Sequence, residues 1–143
     1  MDRQDIIDTA HEMADAARAA ILPYFRMRGL AAENKLRGGF DPVTEADRAG
    51  EAAMRAVLVR RRPDDGVLGE ELGAVAGTSG LTWVLDPIDG TRGFISGTPT
   101  WGVLVAVSDD TGPLYGIIDQ PYIGERFAGG FGTATVRGPL GEA

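Results

Sequence analysis

Two acidic side chains lie where a predicted strand ends. Residues 81–85 form a short apolar run bounded by turn residues, which predicts a strand, and Asp86 and Asp89 follow it closely. Two carboxylates this close repel each other and raise each other's pKa unless cations or hydrogen bonds compensate them. A hard divalent cation does so through oxygen ligands, and the Ile88 carbonyl between the two acids is a further candidate ligand.

A second acidic turn repeats this pattern upstream. Glu70 and Glu71 follow another short apolar run and Gly69. If Glu70 converges with Asp86 and Asp89, the three carboxylates suit Mg²⁺ or Mn²⁺ and carry enough charge for two or more ions. The sequence therefore predicts a polycarboxylate metal site built from two strand ends.

A turn of small residues follows the second acid pair. Gly90 and Thr91 offer backbone N–H groups that suit a phosphate, and the Thr91 hydroxyl can orient a water molecule. Asp-Pro, Asp-Gly and Glu-Glu pairs also occur in ordinary solvated turns, so spacing alone leaves both interpretations open. A third acidic cluster at residues 41–47 also marks an element boundary and favours the metal site.

Two helices and several short strands must position these turns. Apolar residues recur every three or four positions from 5 to 25, which predicts a helix with Asp2 as N-cap and a kink or end at Pro23. A second helix is predicted from Thr44 to the arginines at 60–62, before Pro63. Strands are predicted at residues 66–69, 81–86, 101–108, 114–119 and 126–129, and the almost wholly apolar run at 101–108 indicates a strand covered on both faces. Helices packed on a sheet give a layered α/β or α+β class.

Two other features have structural interpretations that we prefer. His11 lies at the edge of the first helix's apolar stripe, and no ligand cluster surrounds it in sequence, so we expect a surface or packing role. The arginines at 60–62 complement a helix C-terminus, and an anion site is the alternative.

Length and composition limit the function further. The chain has 143 residues, no cysteine and a formal net charge of −7, with 43% hydrophobic residues. One soluble globular domain is expected, without disulfides or thiolate metal sites. The acidic balance argues against nucleic acid as a partner, and no apolar run is long enough to span a membrane. The polar amino terminus is unlike a secretory signal, so we expect a cytoplasmic protein.

Three segments together carry a resemblance to a known family. Residues 83–94, WVLDPIDGTRGF, resemble the signature of the inositol monophosphatase family of Mg²⁺-dependent, lithium-sensitive phosphatases. Residues 41–47, DPVTEAD, and 68–71, LGEE, resemble two further family segments in order and spacing. Within the family, residues 91–102 are most similar to the histidinol-phosphate phosphatase branch, which acts in histidine biosynthesis. The implied fold is a layered α-β-α sandwich, here its amino-terminal half of helices plus mixed sheet.

The resemblance implies roles for particular residues. It places Glu70, Asp86 and the Ile88 carbonyl on a first metal, and Asp86 with Asp89 on a second; a third, weaker metal or its waters would lie near Asp41. Catalytic roles fall to Glu70, Thr91 and Asp47: Glu70 and Thr91 activate or orient the attacking water, and Asp47 pairs with the threonine. Phosphate would contact Asp89, Gly90 and Thr91. Lys35 lies near a basic position of the family, but a solvated lysine is the preferred interpretation.

Family members are considerably longer than this chain. We expect residues 1–130 to form an amino-terminal phosphatase domain and 131–143 a tail, with the carboxyl-terminal half and its further metal-binding aspartate absent. Faces that pack on that half would be exposed and favour a homodimer.

Three functions follow from the resemblance. The preferred one is Mg²⁺-dependent hydrolysis of a small phosphorylated metabolite, histidinol phosphate, with two or three ions and Mn²⁺ as the alternative metal. The second is the same reaction on inositol 1-phosphate or a related sugar or nucleotide phosphate. The third is a catalytically silent metal-binding or phosphate-binding fragment.

Overall fold

Two long helices lie on one face of the molecule in this computed structural model, which describes residues 1–27 and 42–143. Helix α1 spans Arg3–Ile21, and its N-cap is Asp2 as predicted, because the Asp5 N–H donates to the Asp2 carboxylate at 3.2 Å. The α-helix ends at Ile21, close to Pro23, where a kink or end was predicted, and a 3-10 turn at Leu22–Tyr24 follows. Pro23 in that turn has no N–H to continue the α-helical ladder.

Helix α2 spans Pro42–Arg61 and begins two residues before the predicted start at Thr44. Proline suits the first turn of a helix because the N–H that it lacks would have no partner there. The predictions for Asp41 and Lys35 fall outside the described residues.

The strands form one sheet in the order β2-β1-β3-β4-β5-β6-β7-β8. Neighbouring strands are antiparallel except β1 and β3, which are parallel. The strand bounds are Gly66–Gly69 (β1), Gly73–Val75 (β2), Thr82–Asp89 (β3), Gly102–Asp109 (β4), Gly112–Gln120 (β5), Glu125–Gly130 (β6), Thr133–Gly138 (β7) and Gly141–Glu142 (β8). A short helix, α3 at Thr91–Ser96, lies between β3 and β4.

All five predicted strands are present, and three more were not predicted. The segment 131–143, which we expected to be a tail, adds β7 and β8 to the sheet. Strand β7 pairs with β6 from Thr133 to Arg137, so the main-chain ladder holds a largely exposed segment that has no apolar run. Strand β2 is likewise exposed and short.

The hydrophobic core lies between the helices and the inner face of the sheet. Trp83, Val103 and Val107 are completely buried there, together with Ile6 and Met13 of α1. Our prediction of cover on both faces of the 101–108 strand is corrected by the structure, because its outer-facing side chains, Leu104 and Ala106, are only half-buried. The described helices pack on one side of the sheet only.

The outer face of the sheet is apolar and open. Leu68, Val84, Ile118 and Phe127 are each 42 to 55% exposed on it. Cross-strand register places Asp86, Leu104, Ile118 and Phe127 in one row, so this face runs up to the acidic strand end. No helix in the described part of the chain is long and apolar enough to cross a bilayer.

Candidate metal and phosphate site

Parallel pairing brings the two predicted acidic turns together. Gly69 at the end of β1 pairs with Leu85 of β3, so Glu70, the first residue after β1, lies beside Asp86, which is still within β3. Strands that run in the same direction have their carboxyl ends toward the same edge of the sheet, so polar residues near those ends lie close together. The predicted convergence of Glu70 with Asp86 is therefore a consequence of the β1–β3 register.

An irregularity in β3 determines where Asp89 lies. Asp86 pairs with Leu104 of β4, but Asp89 pairs with Gly102. The two β3 residues are three positions apart and their β4 partners only two, so β3 contains one extra residue here. Side chains three positions apart normally point to opposite faces of a strand, and an inserted residue restores them to the same side. Pro87 lies in this bulge and has no N–H to give to the ladder. The bulge thus allows Asp86 and Asp89 to serve one site.

Asp86 is electrostatically strained. Its pKa is raised from 3.8 to about 6, and burial is the largest cause. The charge of Glu70 comes next, followed by a hydrogen bond to Glu70 that only protonated Asp86 makes, and then by the charge of Asp89. A hydrogen bond from the Ile88 N–H opposes this shift. The Oδ1 atom of Asp86 is buried and has no hydrogen-bond partner. A buried acceptor without a partner lowers the stability of the fold, and a bound cation would compensate this oxygen.

The donor set suits a divalent cation of the hard class. Carboxylate oxygens from Glu70, Asp86 and Asp89 and a nearby backbone carbonyl are the ligands that Mg²⁺ and Mn²⁺ take in proteins. Within residues 1–27 and 42–143, however, no group of three or more histidine or acidic side chains already stands in metal-binding geometry. Glu70 and Asp89 are exposed, and mutual repulsion of the carboxylates disfavours a tight cluster of anions.

The turn after Asp89 is shaped by glycine. Gly90 has φ +87°, and a Cβ there would collide with the Thr100 carbonyl oxygen. Thr91 follows as the first, exposed residue of α3. Helix α3 is held from below by Phe94, which is fully buried against Trp101 with ring centroids 4.9 Å apart. Phe94 and Trp101 are therefore core residues.

Helix α2 approaches the site closely. A Cβ on Gly50 would lie 3.1 Å from the Pro87 Cβ, so the helix packs directly on the β3 bulge. Asp47, one turn earlier, is half-buried at this end of the helix. One residue that we did not predict, Glu51, is completely buried beside the Glu70 turn. Its signal in the sequence is the spacing 47, 51, 54, 58, which places an acid on the stripe that also holds Met54 and Leu58.

The arginines and the histidine have structural roles. Arg61 and Arg62 both bind Asp5 of α1 at 2.9 Å, and Arg62 also binds Asp65, while Arg60 and Arg61 pair with Glu12. These ion pairs tie α2 to α1 and support our preference over an anion site.

His11 packs between α1 and the sheet, as expected. Its Nε2 lies 2.9 Å from the Tyr115 hydroxyl, and its Nδ1 is 3.3 Å from an Arg126 nitrogen. Arg126 and Asp119 form a buried ion pair at 2.8 Å on the same inner face of the sheet. His11 therefore belongs to the helix–sheet contact and lies outside the candidate site.

Comparison with known proteins places the chain in a family of phosphatases. The chain belongs to the inositol monophosphatase family, whose model matches residues 2–137. The family is metal-dependent, which agrees with the acidic strand ends.

The relatives include enzymes of two names. Histidinol-phosphatase of Streptomyces coelicolor is 42% identical over 130 residues, which cover 88% of this chain and 48% of that protein. Histidinol-phosphatase of Mycobacterium tuberculosis is 41% identical over 115 residues, covering 80% of this chain and 44% of the relative. A solved structure of an inositol monophosphatase from Zymomonas mobilis superposes with a TM-score of 0.82 at 42% identity, over 96% of this chain and 52% of the other. The chain spans about half the length of the relatives it matches.

Proposed function

We propose that this chain supplies the metal-binding and phosphate-binding residues of a phosphatase that hydrolyses small phosphate monoesters. The observation that carries the proposal is the buried, unpartnered Oδ1 of Asp86 beside Glu70, where β1 ends against β3. A carboxylate kept at such electrostatic cost is typical of functional sites rather than of structural turns. Family membership supplies the reaction class.

Four groups would hold the metal: the side chains of Glu70, Asp86 and Asp89 and the carbonyl of Ile88. Mg²⁺ is the proposed ion, with two or three bound, and Mn²⁺ is the alternative. When bound, divalent cations lower the pKa of a coordinated water and stabilise the departing alkoxide.

The remaining steps fall to side chains and backbone of the chain. Glu70 accepts a proton from the attacking water, Thr91 orients that water, and Asp47 supports Thr91. Asp89, Gly90 and Thr91 bind the phosphate group. The water oxygen would bond to phosphorus as the ester P–O bond breaks, and the departing alkoxide would take a proton from solvent water and leave as the alcohol. No covalent bond to the protein is needed.

Histidinol phosphate is the preferred substrate in this proposal. Support comes from residues 91–102, which resemble the histidinol-phosphate phosphatase branch, and from the two relatives of that name. Inositol 1-phosphate is the second candidate, favoured by the likeness to the Zymomonas mobilis structure. A catalytically silent metal-binding or phosphate-binding fragment is the third candidate, favoured by the open outer face of the sheet. We propose that this face also promotes self-association.

Phosphate release tests the proposal. The chain is assayed with each ester in Mg²⁺ and in EDTA, beside Asp86→Asn and a matched control, Asp110→Asn. Asp110 is exposed in the turn after β4, at the opposite end of that strand from the site. Mg²⁺-dependent release that Asp86→Asn abolishes and Asp110→Asn retains would support the function, and the faster ester would identify the substrate class.

The other outcomes are equally informative. A folded chain that binds Mg²⁺ but hydrolyses neither ester supports the silent fragment. Release that survives in metal-loaded Asp86→Asn contradicts the assignment of the site.

A further inference from the structure

The carboxylate of Glu51 is a fully buried charge in the middle of α2. Such a group is retained only when several hydrogen bonds and an opposite charge compensate its lost hydration. Arg55, one turn further along the helix, supplies the charge through its Nε at 3.1 Å. An ion pair between neighbours on one helix would form as well at the surface, so the burial requires a further explanation.

That explanation lies in the turn between β1 and β2. The Glu71 N–H donates to Glu51 Oε1 at 2.9 Å, and the Leu72 N–H donates to Oε2 at 2.8 Å. Arg55, already paired with Glu51, also donates to the Gly73 carbonyl oxygen. The Glu51–Arg55 pair therefore binds the main chain of three consecutive residues.

Gly69 closes the contact from the other side of Glu70. A Cβ at this position would overlap the carboxylate of Glu51, so the end of β1 lies directly against that carboxylate. The residue before Glu70, Gly69, thus packs on Glu51, and the residue after it, Glu71, is hydrogen-bonded to Glu51. The side chain of Glu70 itself remains exposed and free to face Asp86.

We propose that Glu51 is a positioning residue: it fixes the main chain on both sides of Glu70 so that the Glu70 carboxylate is held toward Asp86. This inference rests on the proposed function, because it assigns to Glu70 a part in binding metal. Glu70 needs such support, since Glu71, Asp86 and Asp89 are all negative and repel it in the absence of a cation. Metal sites generally include residues that do not touch the metal but contact its ligands and fix their orientation.

The test compares Glu51→Gln with Asp65→Asn. Glutamine keeps the shape of the side chain but has one acceptor oxygen and no charge for Arg55. Asp65 is a second buried carboxylate, paired with Arg62, at the opposite end of β1. A general effect of losing a buried charge would appear in both variants.

Two quantities are measured on the full chain. The first is Mg²⁺ affinity, followed by NMR chemical shifts of backbone amides. The second is hydrogen exchange at the Glu71 and Leu72 amides without metal. We expect Glu51→Gln to weaken Mg²⁺ binding about tenfold and to speed exchange at these amides, with neither change in Asp65→Asn. If Glu51→Gln does not fold, Arg55→Lys is used, with a loss of about threefold expected, since lysine lacks the fork that reaches both Glu51 and Gly73.

The results separate this inference from the proposed function. Wild-type binding with unchanged affinity in Glu51→Gln would overturn the role of Glu51 alone. An equal loss in Asp65→Asn would show that Glu51 acts through general stability and would also overturn it. No Mg²⁺ binding by the wild-type chain would overturn the proposed function and the inference with it.

Discussion

Replacing Asp86 by asparagine is expected to stabilise the metal-free protein while removing its metal binding. The pKa of Asp86 is raised from 3.8 to about 6 by burial and by Glu70 and Asp89, so the folded state disfavours its charge. A shift of this size corresponds to about 3 kcal/mol at pH 7. Partial exposure of the side chain reduces the expected gain for Asp86→Asn to about 1–2 kcal/mol.

The pH dependence follows from the direction of the shift. Below pH 4 the wild-type carboxyl is protonated in the folded and the unfolded chain, so the substitution should have little effect. As the pH rises from 4 to 6, the unfolded chain loses this proton first, and the wild-type free energy of unfolding falls relative to Asp86→Asn. Above pH 6 the difference should be complete and constant.

Thermal unfolding in EDTA and in Mg²⁺ measures both effects. At pH 7 in EDTA, Asp86→Asn should melt roughly 3–7 °C above the wild type. Mg²⁺ should then raise the melting temperature of the wild type and of Asp110→Asn, but not that of Asp86→Asn, because only a chain that binds the ion is stabilised by it. A metal-free Asp86→Asn protein that melts below the wild type at pH 7, or one that Mg²⁺ stabilises equally, would refute this reasoning.

Three further predictions concern the rest of the molecule. Arg126→Met removes one of the two arginines that pair with the fully buried Asp119 and leaves Arg18, so we expect the free energy of unfolding in urea to fall by about 3 kcal/mol. A change no larger than that of Glu12→Gln, which breaks an exposed ion pair, would contradict this. The pKa of His11 is lowered by burial and by the charges of Arg126 and Arg137, so the free energy of unfolding should decrease as the pH falls below 6.5. An NMR titration of this single histidine that gives a pKa above 6.5 would contradict the prediction. Ile118→Lys on the open outer face should reduce self-association in sedimentation experiments without lowering the melting temperature, and undiminished association would exclude this face as the contact.

The acidic residues of the candidate site can be selected from the sequence. Asp86, Asp89 and Glu70 each follow a short apolar run, and strands that end in acids are informative without knowledge of the fold. The two helices and five of the strands were also predicted, because the apolar spacing of each is set locally, but the order of the strands in the sheet was not. The register that places Glu70 beside Asp86 was not predictable, since it depends on the parallel pairing of β1 with β3.

Residues whose roles depend on tertiary contacts were the ones missed or left open. Glu51 reads as an ordinary helical acid until the β1–β2 turn is seen to lie against it. The bulge at Pro87 adds one residue to a ladder and has no signature beyond the proline itself. Strands β2 and β7 lack an apolar run, and their main-chain pairing makes them strands. Where main-chain geometry decides the structure, side-chain patterns carry little information.

The most direct test of the site is paramagnetic mapping of the bound metal. Mn²⁺, added at a small fraction of the protein concentration, broadens the NMR signals of nearby amides. We expect losses confined to the ends of β1 and β3 and the start of α3, around Glu70, Asp86 and Thr91, and displaced by excess Mg²⁺. The same pattern should be absent from Asp86→Asn. Broadening centred elsewhere, for example on the exposed Asp109 and Asp110 turn, or unchanged in Asp86→Asn, would contradict a metal site at the shared edge of β1 and β3.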